Sequence, residues 1–154
     1  MADSFVFPYG IVLKENGRLD ILPVAEVGFK SKNGEKFSLF LIIDSGATIS
    51  ALPRSDARVL GIEVERGEKV IISGIGGEKI LGWRHEIEVF LKNIPVQLPV
   101  VFLDKEIGSR VLGRAGIFEN FILVFQENQR RTGFFREGGK EGKQIQKILN
   151  KIQP

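Results

Sequence analysis

Cysteine is absent from the 154-residue chain, and histidine, methionine, tryptophan and tyrosine each occur once. Without cysteine the protein has no disulfide, no thiolate nucleophile and no cysteine-based metal site. The single histidine, His85, excludes a metal site built from several histidines. Its alternating surroundings favour a half-exposed strand residue over a catalytic base. We therefore predict neither a metal nor a cofactor.

Long apolar runs and a targeting pattern are also missing. No apolar run approaches the ~20 residues that a membrane-spanning helix needs. The segment Met1 to Tyr9 lacks the basic start and apolar core of a signal peptide. We therefore expect a cytoplasmic protein with no membrane partner.

Many short apolar segments separated by turn signals about every ten residues predict an all-β barrel or sandwich. Asn33-Gly34 is a strong signal for a hairpin turn. One short helix is predicted over Arg54 to Leu60, where Pro53 opens it and Gly61 closes it. Pro95 and Pro99 place the predicted strand over residues 96–103 at an edge or a bulge.

The most informative stretch runs from Phe37 to Ile43 and then breaks abruptly at the triplet Asp44–Gly46. The first part is almost wholly apolar and short, which is typical of a strand covered on both faces. Gly46 frees the backbone to turn, and Ser45 can stabilise the turn locally. A carboxylate is thereby held at the mouth of a buried strand, where it would be costly to leave ionised and unpaired.

Two further stretches follow the triplet in a suggestive order. One is the glycine-rich segment Gly74–Gly77 between apolar arms, and the other is Val111–Gly113 followed by Arg114 and a predicted helix. In this order the three motifs resemble those of the retropepsin family of aspartic proteases. They cover about a sixth of the chain, and their spacing allows residues 24 to about 125 to be threaded onto that fold. The resemblance implies a closed acid-protease barrel with one lobe per chain.

The resemblance also implies a mechanism. Peptide hydrolysis by water needs a base and an acid, and two carboxylates that share one proton supply both. The chain has one such triplet, so the second carboxylate must be Asp44 of another copy across a two-fold axis. By resemblance, Ser45 braces the two loops, the Gly46 carbonyl binds the substrate backbone, and Val111–Gly113 packs beneath the Asp44 turn.

The Gly74–Gly77 tip fits the role of a mobile flap over an extended peptide or unfolded protein substrate. Ile72, Ile75, Gly74 and Gly76 would contact the substrate from the flap, with Ala47 near the floor. A β-branched residue at Gly76 would crowd the tip and oppose a positive φ there. A phosphate-binding loop fits poorly, because no third glycine or Gly-Lys-Ser/Thr follows at the required spacing.

Two features depart from the retroviral pattern. Thr48 occupies the position where many retroviral relatives carry an acidic residue that pairs with the arginine equivalent to Arg114. The chain also continues past the retroviral end point, which places dimerisation through interleaved terminal strands in doubt. Both departures bring the chain closer to cellular and prokaryotic retropepsin-like proteins.

The C-terminal segment has its own composition. We predict a protease domain over residues 1–135 and a basic tail over 136–154 that carries a short amphipathic helix. Its apolar stripe comprises Ile145, Ile148, Leu149 and Ile152, which should dock on the body of the protein or on a partner. From Arg130 onward the net charge is +5, but no nucleic-acid motif accompanies it, so we predict no nucleic-acid partner.

These observations together predict a homodimeric aspartic endopeptidase that cleaves extended, apolar-flanked segments. The alternative from another class is a catalytically inactive peptide-binding or assembly module with the same fold. A single-carboxylate hydrolase that uses Asp44 with Glu78 or Asp104 is a third hypothesis, and no motif supports it.

Overall fold

A computed structural model describes residues 3–74, 76–106 and 108–152 of the chain. The helices are α1 (Arg54–Leu60) and α2 (Lys140–Lys151), and single 3-10 turns occupy Val64–Arg66 and Glu127–Gln129. The strands are β1 (Ser4–Pro8), β2 (Gly10–Leu13), β3 (Leu19–Leu22), β4 (Val24–Lys30), β5 (Lys36–Ile43), β6 (Ser50–Pro53), β7 (Glu68–Ser73), β8 (Lys79–Leu91), β9 (Ile94–Leu103), β10 (Val111–Leu112), β11 (Phe121–Gln126) and β12 (Arg131–Arg136). The predicted all-β class is confirmed.

The chain divides into two compact units, one from segments 1–24 and 117–154 and the other from segment 25–116. The first unit contains a three-stranded antiparallel sheet in the order β1-β12-β11, together with the β2-β3 hairpin. Alternation along each strand places aromatic side chains on one face of the three-stranded sheet. Four of them form a cluster with ring centroids 5.3 to 6.0 Å apart, namely Phe5, Phe7, Phe121 and Phe134.

Helix α2 also belongs to the first unit. Gly142 is buried, and a Cβ at this position would collide with the carbonyl oxygen of Arg136, so the helix packs closely on the end of β12. The predicted apolar stripe lies on α2 and at its C-cap. It is largely uncovered in the single chain, since Ile148 and Leu149 are each 57% exposed and Ile152 is 69% exposed. The expected docking of the stripe is therefore not found on the body of the protein.

The second unit is built around a seven-stranded sheet in the order β4-β5-β10-β6-β9-β8-β7. Strand β4 also pairs with β8, through Val27 and Leu91 and through Gly28 and Phe90, so the hydrogen-bonded order returns toward its first strand. The largest fully buried side chains of this unit are Phe29, Phe102, Leu41, Leu52, Leu91, Leu98 and Leu112. The predicted division at residues 135 and 136 stays a prediction.

Local sequence signals place several turns and the first helix correctly. The turn at Asn33 and Gly34 joins β4 to β5, and Gly34 has a φ of +89°, which favours glycine. Gly61 closes α1 in the left-handed conformation with a φ of +72°, as predicted. Pro53 is the N-cap of α1 and not its first helical residue.

Two structural expectations were wrong, and a third was right only in part. Strand β5 is covered on both faces only near its end, since Lys36 and Ser38 are exposed and Phe40 is 64% exposed. Strand β9 has neighbours on both sides only over residues 100–103, where it lies between β6 and β8. Its first half, which holds Pro95 and Pro99, pairs with β8 alone, so the edge position predicted from the prolines is right for that half. The predicted helix after Gly113 is replaced by turns.

The failure of that helix has a local cause. Gly116 adopts a φ of +77°, which a right-handed helix does not allow. A Cβ at Gly116 would lie 2.6 Å from the Gln97 carbonyl oxygen, so close packing of two backbone segments holds the residue there. Within the described segments, no helix has both the length and the apolar character needed to cross a membrane.

Candidate active site

Asp44 begins a tight turn at the end of β5. Its backbone N–H donates to the Leu112 carbonyl at 3.0 Å, and its own carbonyl accepts from the Ala47 N–H at 3.2 Å. The Gly46 N–H donates to Asp44 Oδ1 at 2.8 Å. These bonds orient the carboxylate through its own turn and leave Oδ2 with no hydrogen-bond partner among the described residues.

The Asp44 carboxylate is exposed in the single chain, as are Ser45 and Gly46, whereas Ala47 is half-buried. The expectation of a carboxylate desolvated within one chain is therefore wrong. The buried part of β5 ends at Ile43, and the turn carries the next residues out to the surface. A second surface must cover this carboxylate if it is to be desolvated.

Strand β10 supports the Asp44 turn from below. Its two residues pair in parallel with Ile42 and Ile43 of β5, and Val111 also pairs with Ala51 of β6. Leu112 is fully buried, and the Ile42 N–H donates to the Arg110 carbonyl at 2.8 Å. The close packing of the 111–113 stretch against the Asp44 turn, implied by the resemblance, is present.

Gly113 lies where two backbone segments approach most closely. A Cβ there would be 2.5 Å from the Ile49 carbonyl oxygen, so no larger residue fits without moving the backbone. The Gly113 N–H donates to the buried Ser50 hydroxyl at 3.0 Å. The next N–H groups, of Arg114 and Ala115, donate to the carbonyls of Ala47 and Thr48 at 2.9 Å each. The whole 47–50 segment is thereby fixed by the 113–115 segment.

The side chain of Arg114 is exposed and has no side-chain partner among the described residues. This is expected, because Thr48 stands where many retroviral relatives carry the acidic residue that pairs with the equivalent arginine. A different arginine makes the strong ion pair. Arg110 Nε and Nη2 donate to the two carboxylate oxygens of Asp56 at 2.6 and 2.8 Å. These hydrogen bonds raise the pKa of Arg110 further above its ordinary value.

Asp56 is 5% exposed and lies on the buried side of α1, so the pair joins this helix to the segment that leads into β10. Sequence reasoning missed it because the two residues are 54 positions apart. The one available signal was an acidic residue on the side of a short helix that also carries Ala57 and Leu60.

We predict that Arg110→Ala lowers the free energy of unfolding by about 2 kcal/mol, because a buried carboxylate would lose its charged partner. The value lies below the range for fully buried pairs, since the side chain of Arg110 is 37% exposed. Urea unfolding monitored by circular dichroism would measure it. Arg110→Lys is the matched control, which keeps the charge but not the two-pronged geometry, and it should lose less. A loss below about 0.5 kcal/mol for Arg110→Ala would contradict this account.

The predicted flap is a hairpin of β7 and β8. Ile72 pairs with Ile80 and Ser73 with Lys79, and the Gly74 N–H donates to the Glu78 carbonyl at 3.0 Å. Ile72 is half-buried, whereas Gly74 and Gly76 are exposed. Ile75 lies outside the described residues. Among the described residues, no backbone hydrogen bond joins this hairpin tip to the Asp44 turn.

One detail of the flap expectation was wrong. The residue that requires the left-handed conformation is Gly77, with a φ of +77°, and not Gly76. The Gly77 N–H donates to the Gly74 carbonyl at 3.0 Å, which closes the tip. A Cβ at Gly76 or at Gly77 would meet nothing within 4 Å in the single chain.

The two alternative carboxylates are engaged elsewhere. Glu78 pairs with Lys105 at 2.5 Å, and Asp104 accepts from Arg54 at 2.9 Å. Both carboxylates are thus held by partners other than Asp44, so the single-carboxylate hydrolase gains no support. Among the described residues, no group of three or more potential ligands is placed to hold a metal ion.

His85 lies in β8 and is half-buried, as predicted. Its Nε2 is 2.9 Å from the Val64 carbonyl oxygen, which gives the ring a structural partner.

Comparison with known proteins agrees with this geometry. The family model described as "Aspartyl protease" matches residues 30–116, which include the Asp44 turn, the flap hairpin and β10. A search of curated proteins found no match.

The solved structures that are similar to the chain include two proteases. The retropepsin-like aspartic protease from Rickettsia conorii is 13% identical with a TM-score of 0.57, and the match covers 86% of this chain and 99% of that one. The EIAV protease, solved with an inhibitor, is 22% identical with a TM-score of 0.49 and covers 64% of this chain and 86% of its own. At these identities the first likeness shows a shared fold. Because a family model spans more than half of its length, the chain belongs to the aspartyl protease family, and its fold is retropepsin-like.

Proposed function

We propose that two copies of this chain form an aspartic endopeptidase in which each copy contributes one Asp44 carboxylate. The observation that carries the proposal is the Asp44 turn itself. The turn presents an exposed carboxylate, one oxygen of which accepts a hydrogen bond from the Gly46 N–H. Strand β10 and Gly113 fix the backbone beneath the turn. The chain has one such triplet, so a pair of these carboxylates needs a second copy.

The chemistry follows from two carboxylates held close together. Because like charges a few ångströms apart do not both ionise readily, the pair holds one proton between them and titrates as a unit. The ionised carboxylate accepts a proton from the attacking water while the protonated one donates to the carbonyl oxygen of the peptide bond. The proton taken from water then passes to the leaving nitrogen, while the other carboxylate takes back a hydroxyl proton from the tetrahedral diol. The C–N bond breaks, and the pair again holds one proton.

Each residue near Asp44 has a place in this scheme. The free Oδ2 of Asp44 is available to the water, because Oδ1 already accepts from the Gly46 N–H. The Ser45 hydroxyl would brace one Asp44 turn against the other, and the Gly46 carbonyl would accept a hydrogen bond from the substrate backbone. Ala47 would line the floor beside the reacting peptide bond.

The substrate would be an extended peptide between the Asp44 turn and the flap, held mainly through its backbone as an added strand is. Ile72 and Ile75, with the glycine backbone of Gly74 and Gly76, would form the upper side of the site. Side-chain selection would come from apolar contacts, so we expect cleavage between bulky apolar residues in unfolded segments. The similarity to a protease from Rickettsia conorii supports the same reaction class.

Digestion of a peptide library, with the products sequenced by mass spectrometry, tests this function. We expect new termini at bulky apolar residues, rapid cleavage of an unfolded protein and resistance of the same protein when folded. A dimer that binds these peptides without cleaving them would instead support the non-catalytic peptide-binding module.

For the flap, we predict that Gly76→Val lowers kcat/KM by about 10-fold or more, because its side chain would crowd the bound peptide. The free energy of unfolding should change by less than about 0.5 kcal/mol, since the site is open and needs no positive φ. Gly77→Ala is the complementary variant, which adds about 1–2 kcal/mol of backbone strain with little bulk. An unchanged kcat/KM for Gly76→Val, measured on an apolar peptide, would rule out close contact between tip and substrate.

A further inference from the structure

Arg114 has a fixed backbone beside the Asp44 turn. Its N–H donates to the Ala47 carbonyl at 2.9 Å, and the next N–H along the chain donates to the Thr48 carbonyl at the same distance. The Ala47 N–H in turn donates to the Asp44 carbonyl at 3.2 Å, so Ala47 belongs to the turn that carries the carboxylate. Arg114 is therefore held next to the floor of the proposed site by contacts of its backbone alone.

The side chain of Arg114 differs from most arginines of the second unit. Those that form ion pairs are Arg54, Arg66, Arg84 and Arg110. Among the described residues of this unit, Arg58 and Arg114 are the two arginines without an ion pair, and both are exposed. Arg58 lies in α1, whereas Arg114 adjoins the Asp44 turn. A guanidinium with five unused donors is thus available beside the site.

We propose that Arg114 selects peptide substrates that carry an acidic residue near the scissile bond. Its planar guanidinium would donate two hydrogen bonds to the side-chain carboxylate of a Glu or Asp, which is the anion that its geometry matches best in a peptide. This inference deepens the proposed function and rests on it, because it names a substrate class for the same site. The apolar residues at the bond itself would still contact Ile72 and Ala47.

Backbone distances limit where the acidic residue lies on the peptide. Asp44 and Ala47 are three positions apart in sequence, so their Cα atoms are separated by at most about 10 Å. Hydrogen-bonded neighbouring segments lie about 4.8 Å apart, which places the Arg114 backbone close to Ala47. An extended peptide advances about 3.3 Å per residue, so a carboxylate about two to four residues from the scissile bond is within reach of the guanidinium.

The two-fold dimer gives this preference a distinctive form. Each copy contributes one Arg114, and the proposed axis passes between the two Asp44 residues, so the two arginines lie on opposite sides of the scissile bond. We therefore expect an acidic residue to favour cleavage on either side of the bond, at a similar distance from it. A single pocket on one copy would give a preference on one side only.

Thr48 explains why the guanidinium is free for a substrate. Thr48 is exposed, lies beside Arg114 through the adjoining backbone hydrogen bonds, and carries no charge. An acidic residue at this position would bind Arg114 within the chain and occupy the donors that a substrate needs. In the single chain, solvent would weaken any ion pair of this arginine. A bound peptide and a second copy would exclude water and strengthen the pair.

Pairs of peptides test the preference directly. Each pair shares one apolar cleavage site and carries either Glu or Gln at the second, third or fourth residue on one side of the bond. Acetylated and amidated ends ensure that no terminal carboxylate competes. At the best position on each side, we expect kcat/KM of the wild type to be about 10-fold higher for the Glu peptide. Salt at about 1 M should reduce this ratio, because the Debye length falls to about 3 Å.

Substitutions test whether Arg114 causes the preference. Arg114→Gln should abolish it, and Arg114→Glu should reverse it in favour of peptides with Lys at the same position. Thr48→Asp should also abolish the preference by pairing with Arg114, whereas Thr48→Asn, which has nearly the same shape without the charge, should keep it. Arg58→Gln is the matched control, because it removes the other unpaired arginine of the unit, and it should keep the full ratio.

Two further measurements exclude a merely structural role. Circular dichroism checks folding, which should be retained because the bond from Arg114 to Ala47 comes from the backbone. If an Arg114 variant is unfolded, the two Thr48 variants decide alone. Sedimentation equilibrium checks the dimer. A dimer that dissociates in Arg114→Glu would show that the arginine binds the second copy, which would overturn the proposal.

Binding to an inactive dimer separates this inference from the proposed function. Asp44→Asn should bind a fluorescent Glu peptide about 10-fold more tightly than its Gln counterpart, measured by anisotropy, and adding Arg114→Gln should remove the difference. That result, with no hydrolysis by the wild type, would support the acidic preference and refute the peptidase. Hydrolysis at apolar sites with equal rates and equal affinities for the Glu and Gln peptides would refute the preference and leave the peptidase standing.

Discussion

Asp44→Asn is expected to lower kcat for peptide hydrolysis by about 1000-fold or more, since it removes the group that both accepts and donates the proton. The fold should be retained. Asn is nearly isosteric with Asp, and its side-chain oxygen can still accept the Gly46 N–H that shapes the turn. In the dimer the variant also removes the repulsion between two carboxylates, so the free energy of unfolding should be unchanged or higher.

Mixing the variant with the wild type tests whether the two copies share one site. If each active site needs two Asp44 residues, an equal mixture that exchanges subunits should keep about one quarter of the wild-type activity. Independent sites would keep about one half. Asp104→Asn and Glu78→Gln are matched controls, because both carboxylates are ion-paired away from Asp44, and both variants should remain active. Wild-type rates for Asp44→Asn would place the catalytic site elsewhere.

Much of the fold could be predicted because its signals are local. The turn at Asn33-Gly34 and the closing residue Gly61 each need a backbone conformation that their residue types favour. Alternation and turn spacing likewise located most strands. The helix predicted after Gly113 does not form, because that prediction considered only local propensity. The positive φ of Gly116 depends on packing against Gln97, which lies far away in sequence.

The candidate site divides in the same way. The triplet at Asp44 and the glycine-rich tip are continuous in sequence and could be found by inspection. The Asp56–Arg110 ion pair could not, because neither residue has an unusual neighbourhood and only the fold brings the two together. Nor could the single chain's exposed Asp44 be foreseen, since the apolar run before it suggested burial.

Arg54 gives a further example of partners that sequence does not reveal. It pairs with Glu65 and Asp104, and its guanidinium lies 5.2 Å from the centre of the Trp83 ring. The two residues that follow Asp104 also have distant partners. Lys105 pairs with Glu78 near the flap tip, and Glu106 accepts hydrogen bonds from Ser55. This cluster connects α1, the segment after β9 and the flap hairpin through exposed charges. Each pair alone stabilises the fold little.

Gly113→Ala is expected to have the largest effect on stability, with a loss of more than about 3 kcal/mol in the free energy of unfolding. The added Cβ would lie 2.5 Å from the Ile49 carbonyl oxygen and 2.9 Å from the Ile49 Cα, which are backbone atoms that cannot rotate away. Separation of the two segments would also weaken the bonds from Gly113 to Ser50 and from Arg114 to Ala47. Since these bonds fix the segment that follows Asp44, activity should fall even where the variant is still folded.

Urea unfolding with linear extrapolation measures the change in stability, and kcat/KM on an apolar peptide measures the change in activity. Gly138→Ala is the matched control, because a Cβ there meets nothing within 4 Å and its φ is not positive. It should alter the free energy of unfolding by less than about 0.5 kcal/mol. If Gly113→Ala were as stable as this control, the two backbone segments would not be in the close contact that holds the Asp44 turn.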